Sequence, residues 1–154
     1  MQTIRFTSVL PVSYRDELER VVFFNPNQDR VAVPLVDVVR RYGVPSIVED
    51  GGTLRFRVPA FGLVQSLYAL DETEQPLRLA GVAMFMRESA DTMLLLHLAV
   101  HEAYAFGGAF VQAWVTPRLL AVVRRACLRV RGLETLRMLY PQEIQIRLQT
   151  AAKG

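Results

Sequence analysis

At 154 residues, with 51% hydrophobic and 21% charged side chains and a formal net charge of +3, the chain has the size and apolar content of one globular domain, not of a disordered or collagen-like one. A single cysteine, Cys127, excludes an internal disulfide, and two histidines leave a structural zinc site short of its usual ligands. No apolar run approaches the roughly 18 residues of a spanning helix, and Gln2, Thr3, Arg5 and Thr7 interrupt the stretch a signal peptide needs, so a cytoplasmic protein without membrane contact is expected.

In chain order, Thr3–Val9 alternates side chains and is expected as a first strand, after which Pro11 and Ser13 announce a change. Ser13 is a candidate N-cap with Asp16 three residues on, and Tyr14, Leu18, Val21 and Val22 fall on one face of a helix ending near Phe24. Asn25–Asp29 is turn chemistry. Pro34, Leu35, Val38, Val39 and Tyr42 then mark a short second helix closed by Gly43 and Pro45. From Ser46 the period shortens to two, and Leu54, Phe56 and Val58 alternate with Arg55 and Arg57 after the turn Asp50-Gly51-Gly52, as in a half-exposed strand.

Leu63–Leu70 and Leu77–Met86, joined by a polar loop, read as an antiparallel hairpin. Met93–Val100, apolar apart from His97, has the pattern of a central strand covered on both faces, which completes a three-stranded meander. Thr116 as N-cap and Pro117 as first helical residue open a helix reaching Arg131, with Leu119, Val122, Val123, Ala126 and Val130 inward and Gly132 as its stop. Glu134–Tyr140 and Ile144–Leu148 are the last strands, the second an alternating edge able to pair with another subunit, and residues 151–154 are a loose tail. Residues 1–150 therefore form one α+β domain, with a mixed, mostly antiparallel central sheet flanked by helices.

Pro76–Phe85 is a strand with glycine between hydrophobic residues, and Leu94–Ala109 is an apolar strand running into Tyr104-Ala105-Phe106-Gly107-Gly108-Ala109. This order of elements resembles the GNAT acetyltransferase superfamily, whose fourth strand leads into a loop of the form Gln/Arg-x-x-Gly-x-Gly/Ala. The match fails at the first loop position, Tyr104; Pro117 falls within the span of the family's helix; and the chain is shortened after Tyr140. The resemblance implies an acyl-CoA N-acyltransferase-like fold, acetyl-CoA as cofactor and an amine as acyl acceptor. It implies a diphosphate held by Tyr104, Gly107, Gly108 and Ala109, where small residues permit close approach and successive amides surround an anion. It also implies a pantetheine arm paired with the main chain of Leu98 and Val100.

Aminolysis of a thioester needs a base for the amine, a donor for the oxyanion and an acid for the departing thiolate. Leu94, Leu95 and Leu96 are apolar, which leaves His97 as the candidate base, with Tyr140 or Tyr104 as proton donor. His97 and His101 would lie about 13 Å apart on a strand, so no metal site is expected. Seventeen of the eighteen basic residues are arginine. Arg118, Arg125 and Arg129 share one side of the late helix, but without interleaved aromatics nucleic acid is not an expected partner. Two readings of function stand side by side: an N-acyltransferase, and a non-catalytic ligand-binding or protein-interaction module on the same fold. A homodimer is expected.

Overall fold

The longest apolar runs become the longest strands. The computed structural model describes residues 2–23, 39–138 and 144–148. Its elements are β1 (Ile4–Thr7), a 3-10 turn (Val12–Tyr14), α1 (Arg15–Phe23), β2 (Ser46–Asp50), β3 (Thr53–Val58), β4 (Gly62–Asp71), β5 (Arg78–Arg87), β6 (Thr92–Val100), α2 (Val115–Leu128), β7 (Thr135–Met138) and β8 (Ile144–Arg147). Residues 39–42 are helical, in agreement with the end of the expected second helix; its earlier part, from Pro34, lies outside the described residues.

The strands form one eight-stranded sheet in the order β2-β3-β4-β5-β6-β7-β8, with β1 alongside β4. One flank of β4 is shared: β3 pairs with residues 62–64 and β1 with residues 68–71, while β5 occupies the other flank. Every pairing is antiparallel except β6 with β7, where α2 provides the crossover that a parallel neighbour requires. The expected mixed, mostly antiparallel sheet with helices on its faces is thus present. No helix among the described residues is long and apolar enough to cross a membrane.

Two apolar layers sandwich the sheet. Leu18, Val21 and Val22 of α1 pack with Leu54, Phe56, Tyr68, Leu79, Leu94 and Leu96 on one face. Leu119, Val123 and Cys127 of α2 pack with Ala69, Ala83, Phe85, Leu95, Leu98 and Leu136 on the other. The central strands feed both layers, which is why their sequences are apolar without alternation. Gly81 permits the close approach of α2, because a Cβ there would lie 2.9 Å from Leu119 Cδ1 and 3.0 Å from Val115 Cγ1.

Local corrections follow from how the chain meets these layers. Ser13 is not an N-cap: it lies inside the 3-10 turn that precedes α1, and that turn has no side-chain cap. Residues 46–50 form β2, paired along its whole length with β3, so the single strand expected after the Asp50 turn is one arm of a hairpin. α2 begins at Val115 rather than Pro117, has Trp114 rather than Thr116 as its N-cap and ends at Leu128 rather than Arg131. Its inward stripe is Val115, Leu119, Val123 and Cys127. Val130, expected inward, lies beyond the helix and is exposed.

Candidate functional site

The distinctive place in the sheet is the end of β6. A bulge interrupts its pairing with β5: Phe85 opposes Leu95 and Met84 opposes His97, leaving Leu96 as the extra residue. On the other flank β7 pairs with β6 in parallel from Thr92 with Thr135 to Leu95 with Met138. Beyond the bulge the His101 amide donates to the Ala80 carbonyl of β5 at 2.8 Å. Strand alternation therefore turns the peptide groups of Leu98 and Val100 toward the β7 side. Their side chains point into the α2 layer and are buried.

The bulge also sets the direction of His97. It and Leu96 both oppose Met84, which belongs to the α1 layer, so His97 faces that layer rather than α2. The ring is 4% exposed, and burial pushes its pKa down to about 4. Imidazole at this position is neutral at pH 7 and a poor proton acceptor. His101 is half-buried, and its Nδ1 accepts from the Ala103 amide at 3.0 Å. Burial and then the nearby Arg78 charge hold its pKa below the usual imidazole value. Among the described residues no group of three metal-ligating side chains is assembled.

After β6 the chain makes a 3-10 turn (Glu102–Tyr104), a bend over the glycines and a second 3-10 turn (Val111–Ala113) before α2. Gly107 adopts φ +84°, which glycine tolerates without a Cβ penalty. Gly108 serves close approach instead: a Cβ there would lie 2.3 Å from the Glu102 carbonyl oxygen and 2.5 Å from that of Ala103. The amide of Gly108 donates to Ala105 at 2.9 Å and that of Phe110 to Ala103 at 2.7 Å. Among the described residues the amides of Gly107 and Ala109 have no protein acceptor. The bend thus leaves the Gly107 and Ala109 amides without a protein acceptor among the described residues, while those of Gly108 and Phe110 hold its shape.

Tyr104, the residue at the head of the loop, turns inward. Its hydroxyl donates to Asp71 Oδ2 at 2.6 Å, and its ring packs 5.3 Å from that of Phe110. Burial and then the Asp71 carboxylate raise the phenol pKa well above its ordinary range. Its side chain therefore offers no donor to a phosphate and no proton to a thiolate. Phe106 stands 86% exposed, so it does not fill the hollow of the bend. Tyr140 lies outside the described residues.

Sequence reasoning missed the acidic and basic groups that hold this region. Glu17 of α1 accepts from the Leu79 amide of β5 at 2.9 Å, and Arg20 of α1 pairs with Glu102 at 3.0 Å. Arg78 lies 5.9 Å from the centre of the Phe110 ring. Only Asp71 had a local signal, an aspartate two residues before a threonine whose amide it accepts, at 2.9 Å. Compared with protein-family models, curated proteins and solved structures, the chain has no significant match, so its chemistry is read from these residues alone.

Proposed function

We propose that the chain is a ligand-binding module of acyl-CoA N-acyltransferase-like architecture, which takes the pantetheine and diphosphate of an acyl-CoA at the end of β6 without using His97 as a base. The observation that carries this reading is the Leu96 bulge in β6, directly before the glycine bend in which the Gly107 and Ala109 amides have no protein acceptor among the described residues. An extended amide-bearing arm would lie along Leu98, whose peptide group turns away from β5. Its diphosphate would meet the amides of Gly107 and Ala109, about half of the cradle that four successive amides would make. An acyl-CoA bound there would bring an activated thioester carbonyl.

Catalysis is the weaker reading because of His97. An alkylammonium acceptor has a pKa near 10.4, so transfer of its proton to a group titrating at about 4 is uphill by about 6 units. The ring also faces the α1 layer, away from the side chains of Leu98 and Val100.

Titration calorimetry with CoA and with acetyl-CoA tests the proposal, paired with an assay of thiol release in the presence of small amines and peptide N-termini. Micromolar binding of both ligands with thiol release at the rate of the protein-free control is expected. No heat from either ligand at millimolar concentration would overturn the reading. Binding accompanied by amine-dependent thiol release would make the chain an N-acyltransferase whose base is not His97.

A further inference from the structure

A second surface lies away from the β6 site, between α2 and the last strand. Between Glu102 and Glu134 the chain has no acidic residue and five arginines: Arg118, Arg124, Arg125, Arg129 and Arg131. The ion pairs among the described residues engage Arg5, Arg20, Arg55, Arg78 and Arg137, and none of those five. Arg124 and Arg125 flank a groove of about 460 Å³ with a mostly apolar lining, to which Leu120 and Leu128 of α2 and Ile146 of β8 contribute. This is the side of α2 opposite its core stripe of Val115, Leu119, Val123 and Cys127. The groove adjoins a sheet edge, since β8 is last in the strand order and pairs with β7 alone among the described residues.

From this juxtaposition we infer that the α2–β8 groove docks an extended acidic segment of a partner protein, in which aliphatic residues alternate with carboxylates, added to the sheet beside β8. Each feature answers a different part of such a ligand. The β8 main chain offers the ladder that a strand needs, and period-two alternation sends every second side chain to the groove face. Aliphatic side chains there cover Leu120, Leu128 and Ile146. Carboxylates at the groove rim meet Arg124 and Arg125, and those on the other face lie across from the exposed Arg147.

Two other occupants suit the surface less well. Nucleic acid would meet the arginines but leave the apolar floor uncovered, and no aromatic residue lines the groove to stack on a base. A second copy of this chain, paired β8 to β8, would set two acid-free arginine faces against each other.

Fluorescence anisotropy with a labelled seven-residue peptide of alternating glutamate and valine tests the inference on the intact chain. Peptides alternating lysine with valine and glutamate with serine, and a 20-nucleotide single-stranded DNA, are run beside it. We expect micromolar binding of the glutamate–valine peptide at low salt, with each peptide control at least tenfold weaker. Arg124→Glu with Arg125→Glu should weaken it at least tenfold, as should Leu128→Ser. These positions are exposed, and circular dichroism of each variant checks that the fold is retained. N-methylation of alternate peptide amides should also weaken it, by removing ladder donors. Equal binding of the glutamate–serine peptide, unchanged binding by the Leu128 variant, preference for the DNA, or a dimer that masks β8 would each overturn the inference.

Discussion

The hydroxyl of Tyr104 and Oδ2 of Asp71 lie 2.6 Å apart and join the last residue of β4 to the turn that follows β6. Asp71 is inaccessible to solvent, although it is the last residue of its strand. Burial pushes its pKa up, but the Tyr104 hydroxyl, the Thr73 amide and Arg78 outweigh this and hold it below the ordinary carboxylate value. Phe110, packed on the Tyr104 ring, sends its own amide back to Ala103, so the bend is anchored to the sheet through this buried pair.

Tyr104→Phe keeps the ring packing and removes one donor to a buried carboxylate, which should cost about 1.5–3 kcal/mol in urea unfolding. The pH dependence has a definite sign. Because the folded pKa of Asp71 is depressed, its contribution is complete above the unfolded carboxylate pKa and is lost as pH falls through the lower folded value. The Phe variant should therefore lose less stability than the parent on acidification from neutral pH. Parallel curves for the two proteins would show that the bond contributes nothing to the shift.

His97 gives a second acid-linked loss, in a higher window. Its folded pKa of about 4 lies below the ordinary imidazole value of 6.5, so the unfolded chain binds more protons between these values. Stability is complete above about pH 6.5 and declines toward pH 4, by about 3 kcal/mol if the full shift is realised. His97→Asn, which does not titrate, should be less stable at neutral pH and flatter across this window. A His97 imidazole resonance, assigned by its loss in His97→Asn, that titrates near pH 6.5 by NMR would contradict both the burial and the argument against His97 as a base.

The sequence was most legible where one strong pattern decided the outcome. Met93–Val100 has no alternation because β6 feeds both apolar layers, and the continuous apolar run was enough to place it at the sheet centre. β2 was hidden because its residues are mostly polar or exposed, and its pairing with β3 supplies the order that its composition does not. The direction of His97 was not legible, since it depends on the Leu96 bulge, which reverses the face of every later residue of β6. Nor was the inward turn of Tyr104, whose partner stands 33 residues earlier in the chain. The glycine pair was visible as a pair, but the division of labour between its members was not.

That division is testable by alanine. At Gly107 a Cβ would meet nothing within 4 Å, and the cost comes only from φ +84°, about 1–2 kcal/mol. At Gly108 the Cβ would run into the Glu102 and Ala103 carbonyls, so the 3-10 turn or the bend must move, at about 3 kcal/mol or more. With about 2–4 °C of melting temperature per kcal/mol for a domain of this size, Gly108→Ala should lower Tm clearly more than Gly107→Ala. If the bend holds a diphosphate, Gly107→Ala should retain CoA binding because the amide is kept, whereas Gly107→Glu should abolish it by charge. Equal destabilisation by the two alanines would mean that the close approach at Gly108 is not a constraint.

Trp114 is the one non-glycine residue with positive φ among the described residues, at φ 54° and ψ 43°, and its side chain is 66% exposed. The left-handed conformation costs a residue with a Cβ about 1–2 kcal/mol, and an indole held mostly in water returns little of it. The backbone needs this geometry: the Trp114 amide donates to Val111 at 3.2 Å, closing the 3-10 turn, and its carbonyl accepts from Arg118 at 3.1 Å in the first turn of α2. Trp114→Gly preserves both bonds and removes the strain, partly offset by the greater freedom of glycine in the unfolded chain. It should be at least as stable as the parent. The sharper comparison is with Trp114→Ala, which loses the same ring contacts but keeps the strain, and should unfold at lower urea by about 1 kcal/mol relative to the glycine variant. If alanine matches glycine, the left-handed turn at the head of α2 has relaxed in the variant or is not a source of strain.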